Sequence, residues 1–403
     1  MEDSNEELRT QMRDIILNTS KPLIIHDFPL KWECFNGSLH DWCECFDAET
    51  SSGPGPEFEL MSMTDCSSPQ WERKRKRVSN MSMQKFLKDY GGGVMENQSH
   101  WAAYQYKRAQ DVPENCVKGI DFGDFGFPDP DKDFTFWLGS EQANTPCHYD
   151  TYGINIVVQV YGSKLWLLFP PETPLQSSRI PYEESSVYCL ENFYAPPPDR
   201  NYSEFADQAH SCILQAGDVL IVPRHWWHYV ESKQTSLSVN YWVPLKVDLD
   251  LALDEFMVKH IIESFVKGES NQMREYLLNP NQLTEVSALP SELFEQYEQA
   301  VGQNVGDKAN QRKLWDTDYL TATDVNALFN NIDLFMRPVE IMHKDEYEHL
   351  INTNSKGRLP SGEAAPECNE GIISSNLELL INSMCAPRSI ASIKREFFRR
   401  LRQ

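Results

Sequence analysis

The sequence predicts a mostly β core that is built from short strands and flanked by helices. Between Phe134 and Pro244, runs of β-branched and aromatic residues alternate with glycine and proline, as is typical of strands joined by tight turns. After Pro244 the apolar residues recur with helical spacing, as in LDLALDEFMVKHIIESFVKG. A hydrophobic content of 40% with 11% aromatic residues, in a chain of 403 residues, indicates one or two folded domains.

The core region, 120–245, contains the segments that we predict to be strands. These segments are FTFWLG, INIVVQVYG, KLWLLFPP, DVLIVP and SLSVNYWVP. A long polar and proline-rich insertion lies between Pro170 and Ser211.

The N-terminal region, 1–119, is predicted to pack on this core through helices, strands and an acidic loop. MSMQKFLKDYGGG is typical of a helix that ends at glycines. The predicted elements are helices at 1–20 and 81–93, a strand at 21–29, an acidic loop at 47–82 that ends in RKRKR (73–77), and an aromatic segment at 99–109.

The C-terminal part divides into a helical region at 246–350, a linker at 351–375 and a basic, amphipathic helix at 376–403. In the last helix Ile390, Ile393 and Phe397 are suited to one face. This helix either packs on the body of the protein or binds a partner.

The composition argues against several classes of protein. A net charge of −23 argues against general nucleic-acid binding, which needs clustered lysine and arginine. MEDSNEELRT lacks the apolar segment of a secretory signal, and no apolar run approaches the roughly 18 residues of a transmembrane helix. Ten cysteines without CxxC spacing indicate reduced thiols. We therefore expect a cytoplasmic protein, with RKRKR leaving nuclear import as an alternative.

A pair of metal-binding residue types occurs in TPCHYDTYGIN. His148 and Asp150 are two positions apart, so alternation along a strand places both on one face, with Cys147 and Tyr149 on the other. Together they are two thirds of the 2-His-1-carboxylate triad that suits non-haem Fe(II). Because His-x-Asp is a short motif, a hydrated strand start is the simpler alternative.

The third ligand of such a triad would come from a distant strand, and GDVLIVPRHWWHYVES (217–232) is the candidate segment. It contains His225 and His228, which an extended chain sends to opposite faces, so only one of them can join. The alternative is an aromatic core strand whose histidines are satisfied by hydrogen bonds.

A co-substrate would make further demands on the site. An Fe(II) oxygenase needs two extra electrons, usually from a dianion such as 2-oxoglutarate, whose far carboxylate needs a cation and hydroxyl donors. Lys164 lies in an apolar run, where its burial without an anion would be costly. Thr145 could add a hydroxyl group. A solvent-facing lysine is the alternative.

These motifs resemble the JmjC family of Fe(II)- and 2-oxoglutarate-dependent oxygenases, most densely over 120–245. The residues that carry the resemblance are T-P-x-H-x-D, N-x-x-x-Q-x-x-G-x-K-x-W-x-L-F-P-P, G-D-V-L-x-V-P-x-x-W-W-H-x-V-E-S and V-N-x-W. The subgroup that they resemble most includes the asparaginyl hydroxylase that inhibits hypoxia-inducible factor. RIPYEESSV, VPRHWWHYVES and DFGFPD are similar to members that associate with a small heat-shock protein.

The resemblance implies a double-stranded β-helix, the cupin/JmjC jelly roll, followed by the helical region. It implies that His148, Asp150 and His228 are the iron ligands, because the family's distal histidine follows an aromatic pair, here Trp226 and Trp227.

The resemblance also implies a co-substrate pocket for 2-oxoglutarate. Lys164 matches the family's lysine for this dianion, with Thr145 as its hydroxyl partner. Asn155 and Asn240 match asparagines that line the pocket, although turn or ladder hydrogen bonds are an alternative role for both.

Two functions follow from the resemblance. The first is an intracellular oxygenase that hydroxylates a protein side chain, with demethylation as a variant outcome. The second is a JmjC-fold protein that binds a small heat-shock protein in the stress response, with weak or no catalysis. Histone demethylation is less favoured because the cysteines form no zinc module. Helices such as 248–267 form a dimer interface in the hydroxylase, which leaves a homodimer open.

Overall fold

Two antiparallel β-sheets form the core of the protein, and the predicted jelly roll with a helical C-terminal region is confirmed. In the computed structural model one sheet contains nine of the described strands and the other contains six. The structure describes residues 2–51, 53, 55–64, 76–94, 98–129, 131–278, 313–317, 336–358 and 375–401. Across these ranges no helix has the length and apolar character that crossing a membrane requires.

The strands follow the chain from β1 to β15. They are β1 (Leu23–Ile25), β2 (Phe58–Ser62), β3 (Lys76–Val78), β4 (His100–Arg108), β5 (Phe134–Gly139), β6 (Asn144–Asp150), β7 (Ile154–Tyr161), β8 (Lys164–Phe169), β9 (Ser177–Ser178), β10 (Ser186–Cys189), β11 (His210–Leu214), β12 (Val219–Val222), β13 (Trp227–Ser232), β14 (Ser236–Val243) and β15 (Met336–Pro338). The nine-stranded sheet has the order β15-β1-β12-β7-β14-β5-β4-β2-β3, and the six-stranded sheet has the order β11-β8-β13-β6-β10-β9. The N-terminal strands thus belong to the same sheet as the core strands.

The described helices flank these sheets. They are α1 (Glu2–Asn18), α2 (Leu39–Thr50), α3 (Met83–Tyr90), α4 (Asp248–Val266), α5 (Asn271–Leu278), α6 (Lys344–Arg358), α7 (Ser375–Met384) and α8 (Pro387–Leu401). α1 corresponds to the helix predicted at 1–20, and its Met12, Ile15 and Ile16 are buried, whereas Leu8 is exposed. α2 begins at Ser38 with a capping box to Asp41, which satisfies amide groups that a helix start leaves unpaired.

The prediction of a single acidic loop at 47–82 is wrong. α2 continues to Thr50, and β2 pairs with β3 in the register Phe58 to Val78. Phe58, Leu60 and Met61 are buried, so packing stabilises a strand too short to show a clear alternating pattern. RKRKR lies partly outside the described residues; its last two residues begin β3.

The C-terminal prediction needs three corrections. α6 runs through the first eight positions of the predicted linker, 351–375, and the rest up to 374 lies outside the described residues. The helix predicted at 376–403 is two helices, because Pro387 begins α8 at the first helical position, where proline is favoured. The region 246–350 also contributes β15, which pairs with β1. SELFEQYEQAV (291–301) lies outside the described residues.

The insertion between Pro170 and Ser211 has a polar sequence, but part of it is buried in the folded protein. β9 and β10 extend the six-stranded sheet, and several aromatic side chains of the insertion form a buried cluster against β8 and β13. The members of this cluster from the insertion include Phe193, Tyr194, Tyr202 and Phe205.

A buried ion pair joins α6 to β13. Nη2 of Arg358 is 2.6 Å from Oε1 of Glu231, and Nη1 is 2.9 Å from Oε2. The guanidinium also lies 4.1 Å from the centroid of the Tyr194 ring. Glu231 is 1% exposed, so its charge depends on this partner.

We expect Arg358→Ala to destabilise the protein by about 3 kcal/mol, because it leaves the Glu231 carboxylate buried without its arginine. Urea unfolding measures this change. Arg399→Ala is the matched control, since Arg399 pairs with Glu396 on the exposed surface of α8 and should show no measurable effect. Equal stability of the two variants would contradict the role of the buried pair.

Candidate metal centre

The two histidines of the predicted site come from neighbouring strands of the six-stranded sheet. β6 and β13 are antiparallel, and their register places His228 opposite His148. The predicted alternation along β6 is present: His148 and Asp150 line a cavity, whereas Cys147 packs into the core on the other face. The strands therefore bring together three residues that are up to 80 positions apart in the chain.

The polar atoms of this cluster face one another. Nε2 of His148 is 3.7 Å from Oδ1 of Asp150, and Nε2 of His228 is 3.9 Å from Oδ2. The centroids of the two imidazole rings are 4.2 Å apart. All three side chains are buried, and their ligand atoms lie within 4.8 Å of one another. One metal ion can bridge atoms at this separation.

Backbone carbonyl groups orient both imidazoles. Nδ1 of His148 donates to the carbonyl oxygen of Pro146 at 2.8 Å, and Nδ1 of His228 donates to that of Trp226 at 2.9 Å. Because a carbonyl oxygen only accepts, the proton is on Nδ1 and the lone pair is on Nε2. Burial and the neighbouring His228 lower the pKa of His148 to about 4, so this ring is neutral at pH 7.

The Asp150 carboxylate is held by a chain of side-chain hydrogen bonds. Asn155 Nδ2 and Trp242 Nε1 both donate to its Oδ2 at 3.0 Å. Asn240 Nδ2 donates to Asn155 Oδ1 at 2.8 Å, and Trp137 Nε1 donates to Asn240 Oδ1 at 2.7 Å. The two predicted asparagines thus line the cavity and also fix the orientation of the carboxylate.

His225 lies away from this cluster. Its φ angle of 65° is in the left-handed region, and its ring packs 5.0 Å from that of Tyr149. Its Nε2 is 3.3 Å from the carbonyl oxygen of Thr151. Of the two candidate histidines, the structure therefore brings only His228 to the cavity.

The cluster lies in a cavity between the two sheets. Its other lining residues are Tyr106, Trp137, Thr145, Asn155, Val157, Lys164, Trp166, Val230, Ser238, Asn240 and Trp242. All seven residues predicted for the site therefore line one cavity. Thr145 is three positions before His148, yet it shares this cavity because the β6–β13 pairing contains a bulge that shifts the alternation.

Lys164 is the only lysine among the residues that line the cavity. Its Nζ donates to Ser238 Oγ at 2.7 Å and to the Trp137 carbonyl oxygen at 3.2 Å. Among the described residues no carboxylate forms an ion pair with it, and burial lowers the pKa of Lys164 to about 7. A buried ammonium group with hydroxyl and carbonyl neighbours is suited to bind an anion.

Sequence reasoning missed several residues of the site. Ser238 and Trp242 are two positions on either side of Asn240, so strand alternation could have found them in SLSVNYWV. Trp137 could have been found from the pairing of β5 with β14, which places it opposite Ser238. Tyr106 could not be found in this way, because it occupies a bulge in β4.

The side chains present fit a ferrous ion. Two imidazole groups with free Nε2 lone pairs and one carboxylate form the donor set of a 2-His-1-carboxylate site. Among the described residues no lysine or arginine pairs with Asp150, so a cation between the three groups would compensate its buried charge.

Replacing Lys164 with methionine should remove a pH dependence of folding stability. The folded-state pKa of about 7 is below the usual 10.5, so the unfolded chain binds more protons between these values. The free energy of unfolding of the metal-free wild-type protein should therefore rise with pH across this window. From pH 7 to pH 9 we expect this rise to be about 2 kcal/mol larger than in Lys164→Met. Urea unfolding at both pH values measures the difference, and parallel curves for the two proteins would contradict it.

Comparison with known proteins identifies the family of the chain. The sequence profile of the cupin-like domain family matches residues 9–244, which begins well before the core region predicted at 120–245. HSPB1-associated protein 1 of Homo sapiens is 33% identical over 290 residues, which cover 68% of this chain and 58% of that protein. The HSPB1-associated protein 1 homolog of Danio rerio is 40% identical over 190 residues, 45% of this chain and 42% of that protein.

A more distant relative carries an enzyme name. Lysine-specific demethylase 8 of Danio rerio is 28% identical over 239 residues, 58% of this chain and 55% of that protein. The chain spans less than two thirds of the length of each of these relatives. The family match covers more than half of the chain and ends where β14 ends, next to the cavity. The chain therefore belongs to the cupin-like JmjC family.

Proposed function

We propose that this protein is an Fe(II)- and 2-oxoglutarate-dependent oxygenase that hydroxylates a side chain of a protein substrate. The observation that carries the proposal is the buried His148–Asp150–His228 cluster, with Lys164 in the same cavity. Its donor set is the one that non-haem Fe(II) oxygenases use. The similarity to proteins named lysine-specific demethylases supports the same class of chemistry.

Each residue has a distinct role in this proposal. His148, Asp150 and His228 hold the iron, and Lys164 with Thr145 binds the far carboxylate of 2-oxoglutarate. When bound, the iron would activate O2 with two electrons from 2-oxoglutarate, so that one oxygen atom enters a substrate C–H bond and the other oxidises 2-oxoglutarate to succinate and carbon dioxide. Asn155 keeps the Asp150 carboxylate in place for the metal through its hydrogen bond.

The remaining lining residues exclude water from the cavity. Val157, Trp166 and Val230 form its apolar wall, and the ring of Trp166 lies 5.5 Å from that of His228. An open groove of about 1420 Å³ adjoins the cavity, and Asp150 and Trp242 line both. The groove is open beside the cavity, which is compatible with a substrate that is itself a protein.

Anaerobic titration with Fe(II) and 2-oxoglutarate tests the proposal. The expected result is a metal-to-ligand charge-transfer absorption band, absent in His228→Ala. Lys164→Ala should weaken 2-oxoglutarate binding at least tenfold, since a charge-assisted hydrogen bond contributes about 1.5–3 kcal/mol.

Lys233→Ala is the matched control, because the Lys233 side chain is 41% exposed and is not among the residues that line the cavity. Absence of the band in the wild-type protein, or equal affinities of the two lysine variants, would overturn the oxygenase proposal.

We also propose that the protein associates with a small heat-shock protein through α7 and α8. Relatives are named for association with HSPB1. On α7 and α8, Leu379 is 68% exposed, Leu380 46% and Ile393 43%, which is unusual for apolar side chains of neighbouring helices. Such a binding role is compatible with catalysis.

A pull-down with a purified small heat-shock protein tests this association. His228→Ala should bind as wild type does, whereas the double variant Leu379→Ser, Leu380→Ser should lose binding. Deletion of 376–403 is a poorer test, because Lys394 pairs with Asp250 and Asp254 of α4. Undiminished binding by the double variant would exclude this surface.

A further inference from the structure

Tyr106 occupies an unusual backbone position beside the cavity. Its φ angle is 56°, in the left-handed region that a bulky residue rarely adopts. It lies in β4 where the pairing with β5 shifts register between Tyr104 and Lys107. Backbone strain of this kind persists where the surrounding structure enforces it, and it is concentrated at functional sites. The bulge directs the Tyr106 side chain toward the cavity instead of along the regular face of the strand.

The side chain of Tyr106 lies between the two sheets. Its ring centroid is 4.3 Å from that of Trp137 in β5 of the nine-stranded sheet. Ser186, in β10 of the six-stranded sheet, lines the adjoining groove together with Tyr106. Burial raises the pKa of Tyr106 well above its usual range, so the phenol is neutral. The contact with Trp137 holds the ring at the opening between the sheets.

Tyr106 also lies on the boundary between two spaces. It lines the cavity that contains His148, Asp150 and His228, and it lines the adjoining groove of about 1420 Å³. Asp150 and Trp242 are the only other residues that line both the cavity and the groove. Asp150 is part of the metal cluster and Trp242 holds Asp150, so Tyr106 is the shared residue that has no role in holding the metal.

We propose that the Tyr106 ring is a positioning residue that divides the co-substrate cavity from the substrate groove. The ring narrows the passage from the groove into the cavity, and it sets the side from which a substrate side chain reaches the metal. The strained bulge in β4 then has a function, since it fixes the ring across the opening. The inference rests on the proposed function for the identity of the groove's occupant, but the closure itself is a property of the chain alone.

Chemical modification of the metal-free protein measures this closure without any turnover. Diethyl pyrocarbonate acylates neutral imidazole, and Nε2 of His148 and of His228 is free to react. Mass spectrometry would compare the modification rate of these two residues with that of exposed His40 in the same molecule. Tyr106→Ala should raise the rate at His148 and His228 severalfold and leave His40 unchanged.

Three comparisons make the result specific. Tyr106→Phe keeps the ring and removes only the hydroxyl group, so its rate should stay close to that of wild type and well below that of Tyr106→Ala. Tyr90→Ala, a partly buried tyrosine in α3, should behave as wild type. Equal rates in wild type and Tyr106→Ala, or equal acceleration by Tyr106→Ala and Tyr106→Phe, would overturn the inference.

A second readout separates this inference from the oxygenase proposal. With Fe(II) bound, Tyr106→Ala should consume 2-oxoglutarate faster than wild type when no substrate is present, because water enters the cavity. An unchanged modification pattern overturns the role of Tyr106 even if wild type forms the charge-transfer band. A changed pattern in a protein that forms no band supports the closure and refutes only the oxygenase.

Discussion

The site depends on the need to compensate the buried charge of the Asp150 carboxylate, which among the described residues pairs with no lysine or arginine. Asp150 is 7% exposed, and its closest basic groups among the described residues are the imidazoles of His148 and His228. Both rings donate their Nδ1 proton to the backbone, so lone pairs face the carboxylate. A buried charge without compensation is costly, and a bound cation removes that cost. The polar groups of the site are therefore arranged for a metal ion more than for folding stability.

The sheets support this arrangement from two directions. In the six-stranded sheet the register of β6 with β13 sets the separation of the histidines, and α6 fixes β13 through the pair of Arg358 with Glu231. In the nine-stranded sheet β7 and β14 supply Asn155 and Asn240, whose hydrogen bonds orient the carboxylate. The cavity between the sheets is thus lined by strands, which position functional side chains more precisely than loops do.

Part of the candidate metal site could be predicted from the residues alone. His148 and Asp150 share a face because of strand alternation, which is a local property, whereas the choice of His228 over His225 needed the resemblance to a known family. Thr145 shares their cavity only through a bulge, and Tyr106 occupies a second bulge in a different strand. Bulges are hard to detect in the apolar pattern of a sequence. One inserted residue changes the sheet face to which its neighbours point, but it does not change their residue types.

The outer parts of the fold were harder to predict for a different reason. β2, β3 and β15 have three to five residues, and pairing with distant strands stabilises them. Segments this short carry no period of their own, so the acidic loop at 47–82 and the helical region at 246–350 were assigned without them. The insertion at 170–211 has a polar composition, yet its aromatic residues form a buried cluster that only the folded chain brings together.

X-ray absorption spectroscopy at the iron edge of the Fe(II)-loaded protein examines the central claim most directly. The account predicts one bound iron per chain, with multiple-scattering features of two imidazole groups and a light-atom shell that includes carboxylate oxygen. In His228→Ala the spectrum should fit one imidazole or the iron should be lost. A wild-type spectrum without imidazole scattering, or a protein that retains no iron, would contradict it.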